Sequence, residues 1–219
     1  MTTVADIIGE LEKSDGRKIL KSYLDEEFGG KFLDKFDAIT ALYLDFNAVI
    51  NISALKTYDD IYIKHYLDSV AAHKYIVGDC CDVGCGGGFP CIPLATVTAN
   101  NYLGIDGVGK KLGFIDMCAD KLGMPNIKSL HSRAEELKNT PFRFDTVCAR
   151  AVADADKVLR YCAPISKPGG RVVLYKTQSD DTVSDQTLKK TKCKLDNIVD
   201  YTLYNTDIKR RLLIYSVPV

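Results

Sequence analysis

The 219-residue sequence contains no Trp, three Met, three His and seven Pro, and it has no net charge, because 29 basic residues meet 29 acidic ones. No apolar run approaches the roughly 18 residues that a membrane helix needs. The first thirty residues interleave charges (Glu10, Glu12, Lys13, Asp15, Arg17, Lys18) with apolar side chains, a pattern without the apolar stretch or cleavage site of a secretory leader. Internal repeats and low-complexity segments are missing as well. The eight cysteines (Cys80, Cys81, Cys85, Cys91, Cys118, Cys148, Cys162, Cys193) lack paired CxxC spacing and several fall in apolar stretches. They read as buried free thiols in a reducing compartment, so a cytoplasmic protein with no bound metal and no membrane contact is expected. A chain of this length buries roughly 70% of its unfolded surface and needs no disulfide or metal to hold a core.

What is present describes a globular protein: 46% of residues are hydrophobic and 26% charged. The zero charge is a cancellation along the chain, with 9 basic and 13 acidic residues in 1–75, 8 and 8 in 76–150, and 12 and 8 in 151–219. Net charge is therefore a weak argument against a nucleic-acid partner. The first part reads as helical. Val4, Ile7, Ile8 and Leu11 recur at helical spacing, as do Phe32, Phe36, Ile39 and Tyr43 after the Gly29-Gly30 break, and a further helix capped by Asp59 runs through His65 to about Ala72.

From residue 79 the pattern changes to short apolar runs separated by helical stretches. Cys80–Val83, Tyr102–Ile105, Ile127–Leu130, Asp145–Ala149 and Arg171–Tyr175 read as strands; Pro90–Ala99, Lys110–Leu122 and Ala153–Cys162 as helices, with a short turn at Ala134–Leu137. Such alternation means a parallel sheet covered by helices on both faces. Two further strand-like runs, Lys194–Tyr204 and Arg211–Val217, have no room for a crossover helix between them and predict an antiparallel hairpin at the sheet edge. The division expected is a helical N-terminal extension over 1–75 and a catalytic sheet over 76–219.

The segment Asp82-Val83-Gly84-Cys85-Gly86-Gly87-Gly88-Phe89-Pro90 lies directly after the first strand and before a helix. Glycine there lets the backbone turn tightly and approach a ligand. The spacing is GxGxG preceded by an acid, not the GxGxxG that brings a dinucleotide pyrophosphate onto a helix N-terminus. S-adenosyl-L-methionine has no phosphate, and Asp82 at the start of the loop suits its cationic methionyl end. Asp106, at the end of the second strand, can take both ribose hydroxyls. Arg133-Ala134-Glu135, after the third strand, offers a small residue and an acid to the adenine edge. A nicotinamide cofactor and a bare structural turn are the alternatives. At the end of the fourth strand, Val147-Cys148-Ala149-Arg150-Ala151-Val152 lacks the Asn/Asp-Pro-Pro-aromatic holder of an exocyclic amine, and no Pro-Cys nucleophile follows a strand. A ring nitrogen with a free lone pair, such as guanine N7, needs no general base and asks the enzyme only for proximity and orientation.

His65-Tyr66-Leu67-Asp68-Ser69, the glycine segment continued through Cys91-Ile92-Pro93-Leu94, Ser132-Arg133-Ala134-Glu135-Glu136 and Ala149-Arg150-Ala151 resemble, in that order, the bacterial 16S rRNA guanine-N7 methyltransferases, the glucose-inhibited division protein B family. The resemblance runs from about Phe46-Asn47 to Lys176 and resumes at Arg210-Arg211-Leu212. The chain departs from the family pattern at Phe46-Asn47-Ala48, at Lys64 and at Lys176-Thr177. The resemblance implies a class I S-adenosylmethionine-dependent methyltransferase, Rossmann-like, with a mostly parallel seven-stranded sheet, acting on 16S ribosomal RNA or the small ribosomal subunit.

It further places cofactor contacts on Gly84, Phe89, Ala134, Glu135 and Arg150, joining Asp82, Gly86, Gly88 and Asp106 from the loop reading. Site and RNA-facing residues fall on Lys110, Lys111, Arg133, Arg150 and Arg210. An isolated helix histidine is ordinarily a hydrogen-bonded structural residue; the resemblance makes His65 a wall of the active site, sharing a helix face with Asp68 and Ser69. Lys110-Lys111 would oppose the dipole of the helix they begin, which argues against a purely stabilising role. The run Lys189, Lys190, Lys192, Lys194 reads as a solvated face. A noncatalytic S-adenosylmethionine-binding module and a methyltransferase with another RNA or small-molecule acceptor stay open.

Overall fold

A computed structural model describes residues 4–150, 154–178 and 182–219, and the side chains of residues 4–8 lie outside that description. The predicted packing of Val4, Ile7 and Ile8 and the placement of Ala151–Ala153 therefore fall outside the described residues. Helices α1 (Val4–Lys13), α2 (Asp15–Phe28) and α3 (Leu33–Ile50) precede a composite helix made of α4 (Tyr58–Asp60), a π-helical stretch (Ile61–Leu67) and α5 (Asp68–Val70). Ser14 caps α2 by accepting a hydrogen bond from Arg17 N at 3.1 Å, and α2 ends at Gly29, in the left-handed region with φ +66°. Asp59 does not cap the helix it was expected to start. Thr57 accepts from Asp60 N at 3.2 Å and does that work, while Asp59 Oδ1 accepts from Ser14 Oγ at 2.6 Å and Gly16 N at 2.9 Å. It ties the composite helix to the start of α2.

Strands β1 (Cys80–Val83), β2 (Tyr102–Asp106), β3 (Ile127–His131), β4 (Phe144–Arg150), β5 (Ser166–Lys176), β6 (Lys194–Thr202) and β7 (Lys209–Ser216) form one sheet in the order β3-β2-β1-β4-β5-β7-β6. The first five are parallel, and β7 runs antiparallel to both β5 and β6. The hairpin lies at the edge as expected, with its second strand wedged inside the first. Helices α6 (Cys91–Val97), α7 (Gly109–Lys121), α8 (Ala134–Leu137) and α9 (Ala155–Cys162) connect the parallel strands. The helix predicted to begin at Ala153 begins after Asp154, whose carboxylate accepts from Lys157 N at 2.8 Å. Helix α10 (Asp185–Thr191), capped by Ser184, was not expected, and its last turn carries two residues of the lysine run.

Alternation along the strands sends neighbours into different layers. Cys80, Cys148, Val173 and Ile214 face the extension and pack with Leu20, Leu24, Phe36, Ile39, Tyr43 and Tyr66; Cys81, Val147, Val172 and Leu213 face α9 and pack with Val158, Leu159 and Cys162. All eight cysteines are buried free thiols. No helix among the described residues is long and apolar enough to cross a membrane.

Candidate cofactor and acceptor site

The glycine segment leaves β1 as a tight turn. Gly84 N and Cys85 N both donate to Ile105 O of β2, at 2.8 and 3.1 Å. Gly86 and Gly88 have φ of +56° and +92°, which L side chains rarely adopt. Their surroundings differ. A Cβ on Gly88 would lie 2.5 Å from Ile92 Cδ1 and 2.8 Å from Ile115 Cγ1, whereas one on Gly86 would meet nothing within 4 Å. The loop is thus packed against α6 and α7 at Gly88 and borders open space at Gly86. Asp106 braces it, since Oδ2 accepts from Gly86 N at 2.9 Å and Oδ1 from Val108 N at 2.7 Å.

Asp82 is fully buried below the loop. One oxygen accepts from Cys91 N at 3.0 Å, at the first residue of α6, and the other has no hydrogen-bond partner. Desolvation pushes its pKa up to about 7, against the pull of the Cys91 hydrogen bond and of the Arg150 charge. A buried carboxylate oxygen without a partner is costly and favours an arriving cation.

On the other side of the loop, the Phe89 ring stacks on His65 with centroids 3.9 Å apart and planes 12° from parallel. His65 Nε2 lies 3.0 Å from Ser53 Oγ and 3.4 Å from Tyr43 Oη, and Nδ1 lies 3.4 Å from Arg150 Nη2. A guanidinium only donates, so Nδ1 accepts and the single ring proton sits on Nε2, donated to Ser53. Desolvation, reinforced by the Arg150 charge, lowers the imidazole pKa to about 3. Arg150 also donates to Lys64 O at 2.9 Å and to Asp68 Oδ2 at 3.3 Å, while Arg210 Nε donates to Asp68 Oδ1 at 3.0 Å. Asp68 therefore holds two arginines from two different strands with its own side chain 7% exposed.

His65 and Asp68 do share a face, since both meet Arg150. Ser69 does not join them, because its hydroxyl donates back to His65 O. The helix is π-helical at this point, with Asp68 N donating to Ile63 O five residues back.

Arg133 belongs to the Asp106 side, where a Cβ on Gly107 would lie 3.7 Å from Arg133 Cγ. Of the acid pair after it, Glu136 caps α8 by accepting from Arg133 N at 3.0 Å and Ser132 Oγ at 2.8 Å. Ala134 is buried, and the Glu135 side chain lines a groove with Lys138 and Arg160. Lys110 and Lys111 occupy the first turn of α7, the former exposed, and neither makes an ion pair among the described residues. The expected residues thus gather in two groups, Gly86–Asp106–Arg133 and Phe89–His65–Arg150, on either side of the glycine loop.

Sequence reasoning missed Ser53, Tyr43 and the double role of Asp68. Asn47 could have signalled Ser53, because its side chain closes the segment 47–53 through Ser53 O and Ser53 N, both at 3.0 Å.

A glycine loop after β1, an acid ending β2 and an antiparallel β7 between β5 and β6 together define a class I S-adenosylmethionine-dependent methyltransferase. The open space before Gly86 and the orphaned Asp82 oxygen suit a cationic cofactor without phosphate. The chain belongs to the rRNA small subunit methyltransferase G (GidB) family, whose model matches residues 33–214. It is 32% identical over 192 residues to the ribosomal RNA small subunit methyltransferase G of Lachnoclostridium phytofermentans, covering 83% of this chain and 79% of that one. It is 37% identical over 152 residues to the protein of the same name from Exiguobacterium sibiricum, covering 66% of this chain and 64% of the relative's length. Among solved structures, the magnesium protoporphyrin IX methyltransferase of Synechocystis PCC 6803 with bound S-adenosylmethionine superposes with a TM-score of 0.56 at 17% identity, covering 93% of this chain and 97% of that one. That likeness concerns the fold.

Proposed function

We propose that this protein transfers the methyl group of S-adenosylmethionine to N7 of a guanine in 16S ribosomal RNA, in the cytoplasm. The family supplies the substrate class; the choice of N7 is carried by one observation, that the imidazole beside the cradle is engaged at both nitrogens and resists protonation down to a pKa of about 3. Such a group is a poor base at neutral pH, so an acceptor that must lose a proton would find no help from it. When bound, S-adenosylmethionine supplies a methyl group activated by positive sulfur, and a ring nitrogen with a free lone pair takes it without losing a proton.

The protein's own part is positioning. Gly84 and Gly86 open the backbone to the cofactor while Gly88 lets the loop pack closely on α6 and α7, Asp106 takes the ribose, the orphaned oxygen of Asp82 meets the methionyl ammonium, and the α8 start at Ala134-Glu135 borders adenine. Phe89 and His65 form the wall between cofactor and acceptor, with Arg150 fixed behind them by Asp68. Lys110, Lys111 and Arg133 supply the basic rim for RNA. The test is incubation of unmethylated small subunits and naked 16S transcript with labelled cofactor, followed by mapping of the base. Label in 7-methylguanine is the expected result, and label in another base or none at all would overturn the reading.

A further inference from the structure

The cations of this protein divide into two populations. In the extension most are neutralised: Lys13, Arg17, Lys18, Lys21, Lys64 and Lys74 all make ion pairs. From α8 onward many are not, and three of these converge. Lys138 at the end of α8, Arg160 in α9 and Lys190 in α10 line one groove of about 540 Å³, together with Tyr161 and Pro164. None of the three makes an ion pair among the described residues, and all three are exposed. Arg160 is oriented there by a hydrogen bond from Nη1 to Thr187 Oγ1 at 3.3 Å. Glu135 is the single acid of the lining, so the groove keeps an excess of positive charge.

The groove also connects to the methyl-transfer site. Arg133 stands at the start of α8, beside Gly107 and Asp106, and Lys138 caps its other end, roughly 8 Å further along the helix axis. Arg133 and Lys138 thus stand at the two ends of α8, one beside the cofactor loop and one in the groove, with Glu136 beside Arg133 and Asp156 beside Arg160. Unpaired cations on three separate elements are costly to hold together, because like charges repel, and a polyanion relieves that cost.

We propose that the α8–α9–α10 groove is a second ribosomal RNA contact, gripping the phosphate backbone of a segment remote from the methylated guanine. This rests on the proposed function, of which it specifies the partner's second footprint. Phosphate contacts position an RNA without reading its sequence, and the groove holds the subunit in register while the rim at Lys111 and Arg133 presents the base. It also gives the lysine run of α10 a role beyond solvation.

The test compares wild type, Lys138→Ala/Lys190→Ala and a control, Lys31→Ala/Lys121→Ala, which removes the same charge from other surfaces. Binding of a 16S transcript and of unmethylated small subunits is measured across a salt series, with cofactor affinity as the fold control. Loss of two phosphate contacts lowers the slope of log affinity against log salt by about 1.4 and weakens binding about tenfold at moderate salt. The groove variant should show this, raise KM for subunits by a similar factor and keep its cofactor affinity, while the control stays close to wild type. Equal slopes for all three proteins, or the same loss in the control, would overturn the groove. If the wild type binds RNA with this slope but methylates nothing, the proposed function falls and the groove stands, because the slope is read without turnover.

Discussion

His65 and Phe89 form a nearly parallel stack in which the imidazole is neutral. A protonated ring over Phe89 would gain about 0.5–2 kcal/mol of cation–π attraction. Lowering a histidine pKa from 6.5 to about 3 reflects roughly 5 kcal/mol against the charged form. Burial and the neighbouring guanidinium of Arg150 therefore decide the charge state, and the aromatic face does not.

A pH dependence of stability follows. The unfolded chain binds the His65 proton more tightly than the folded one, so the stabilisation is complete above pH 6.5 and is lost as pH falls toward 3. His65→Phe keeps a ring on Phe89 and removes this loss. Urea titrations between pH 4 and 7 should show a flatter acid limb for the variant; parallel acid limbs would mean that His65 already protonates freely.

Asp82 acts in the opposite direction. Its pKa is raised from 3.8 to about 7, so the folded state holds the proton more tightly and stability falls as pH rises through that window. The penalty is on the order of 4 kcal/mol. Asp82→Asn should make the free protein more stable at pH 8 and flatten the rise of cofactor affinity expected between pH 6 and 8. Calorimetry in buffers of different ionisation enthalpy reads the proton released when cofactor binds, and no release from the wild type would refute the ammonium assignment.

Gly86 and Gly88 separate binding from folding. Both carry positive φ, and alanine at either costs about 1 kcal/mol for that reason alone. Gly88→Ala adds contacts under 3 Å with Ile92 and Ile115 and should lose several kcal/mol of stability. Gly86→Ala has room, so it should melt within a few degrees of wild type yet bind cofactor at least tenfold more weakly. Comparison of thermal melts with binding isotherms settles the point.

Asp106→Ala removes both backbone braces and the proposed ribose contact, and should lose cofactor affinity by tenfold or more. Lys111→Ala should keep cofactor affinity and lose RNA methylation. Equal cofactor binding by Asp106→Ala and wild type would sink the ribose assignment.

Removal of the Asp68 carboxylate leaves Arg150 and Arg210 facing each other half-buried, which typically costs about 3–5 kcal/mol. Asp68→Ala/Arg210→Ala should therefore lose less stability than the summed losses of Asp68→Ala and Arg210→Ala, a coupling that a double-mutant cycle in urea measures.

Much of the sheet was legible because short apolar runs between helical stretches, and glycine spacing, are local signals. The five parallel strands and the Asp106 position follow from stretches of fewer than ten residues, and the hairpin from two neighbouring runs with no room for a helix between them. The Asp68 clamp was not, because residues 68, 150 and 210 meet only once three distant elements are packed. Asp59 was misread as a cap for the same reason: an acid before a helix looks like a cap locally, and its actual partners are Ser14 and Gly16. Helix α10 escaped notice because its lysines hide a short amphipathic turn.

The π-helical stretch Ile61–Leu67 holds one residue more per turn than its α-helical flanks. The wide turn takes up one residue more than an ordinary helix of the same length would hold, so removing a residue from it would leave an ordinary helix whose flanks keep their present faces. Asp68 would stay with its arginines, and the change would fall on the π-helical turn itself, at His65 and its stack on Phe89. One residue of chain length is thus absorbed where the helix meets the cofactor loop, without being passed on to the clamp that locks β4 to β7.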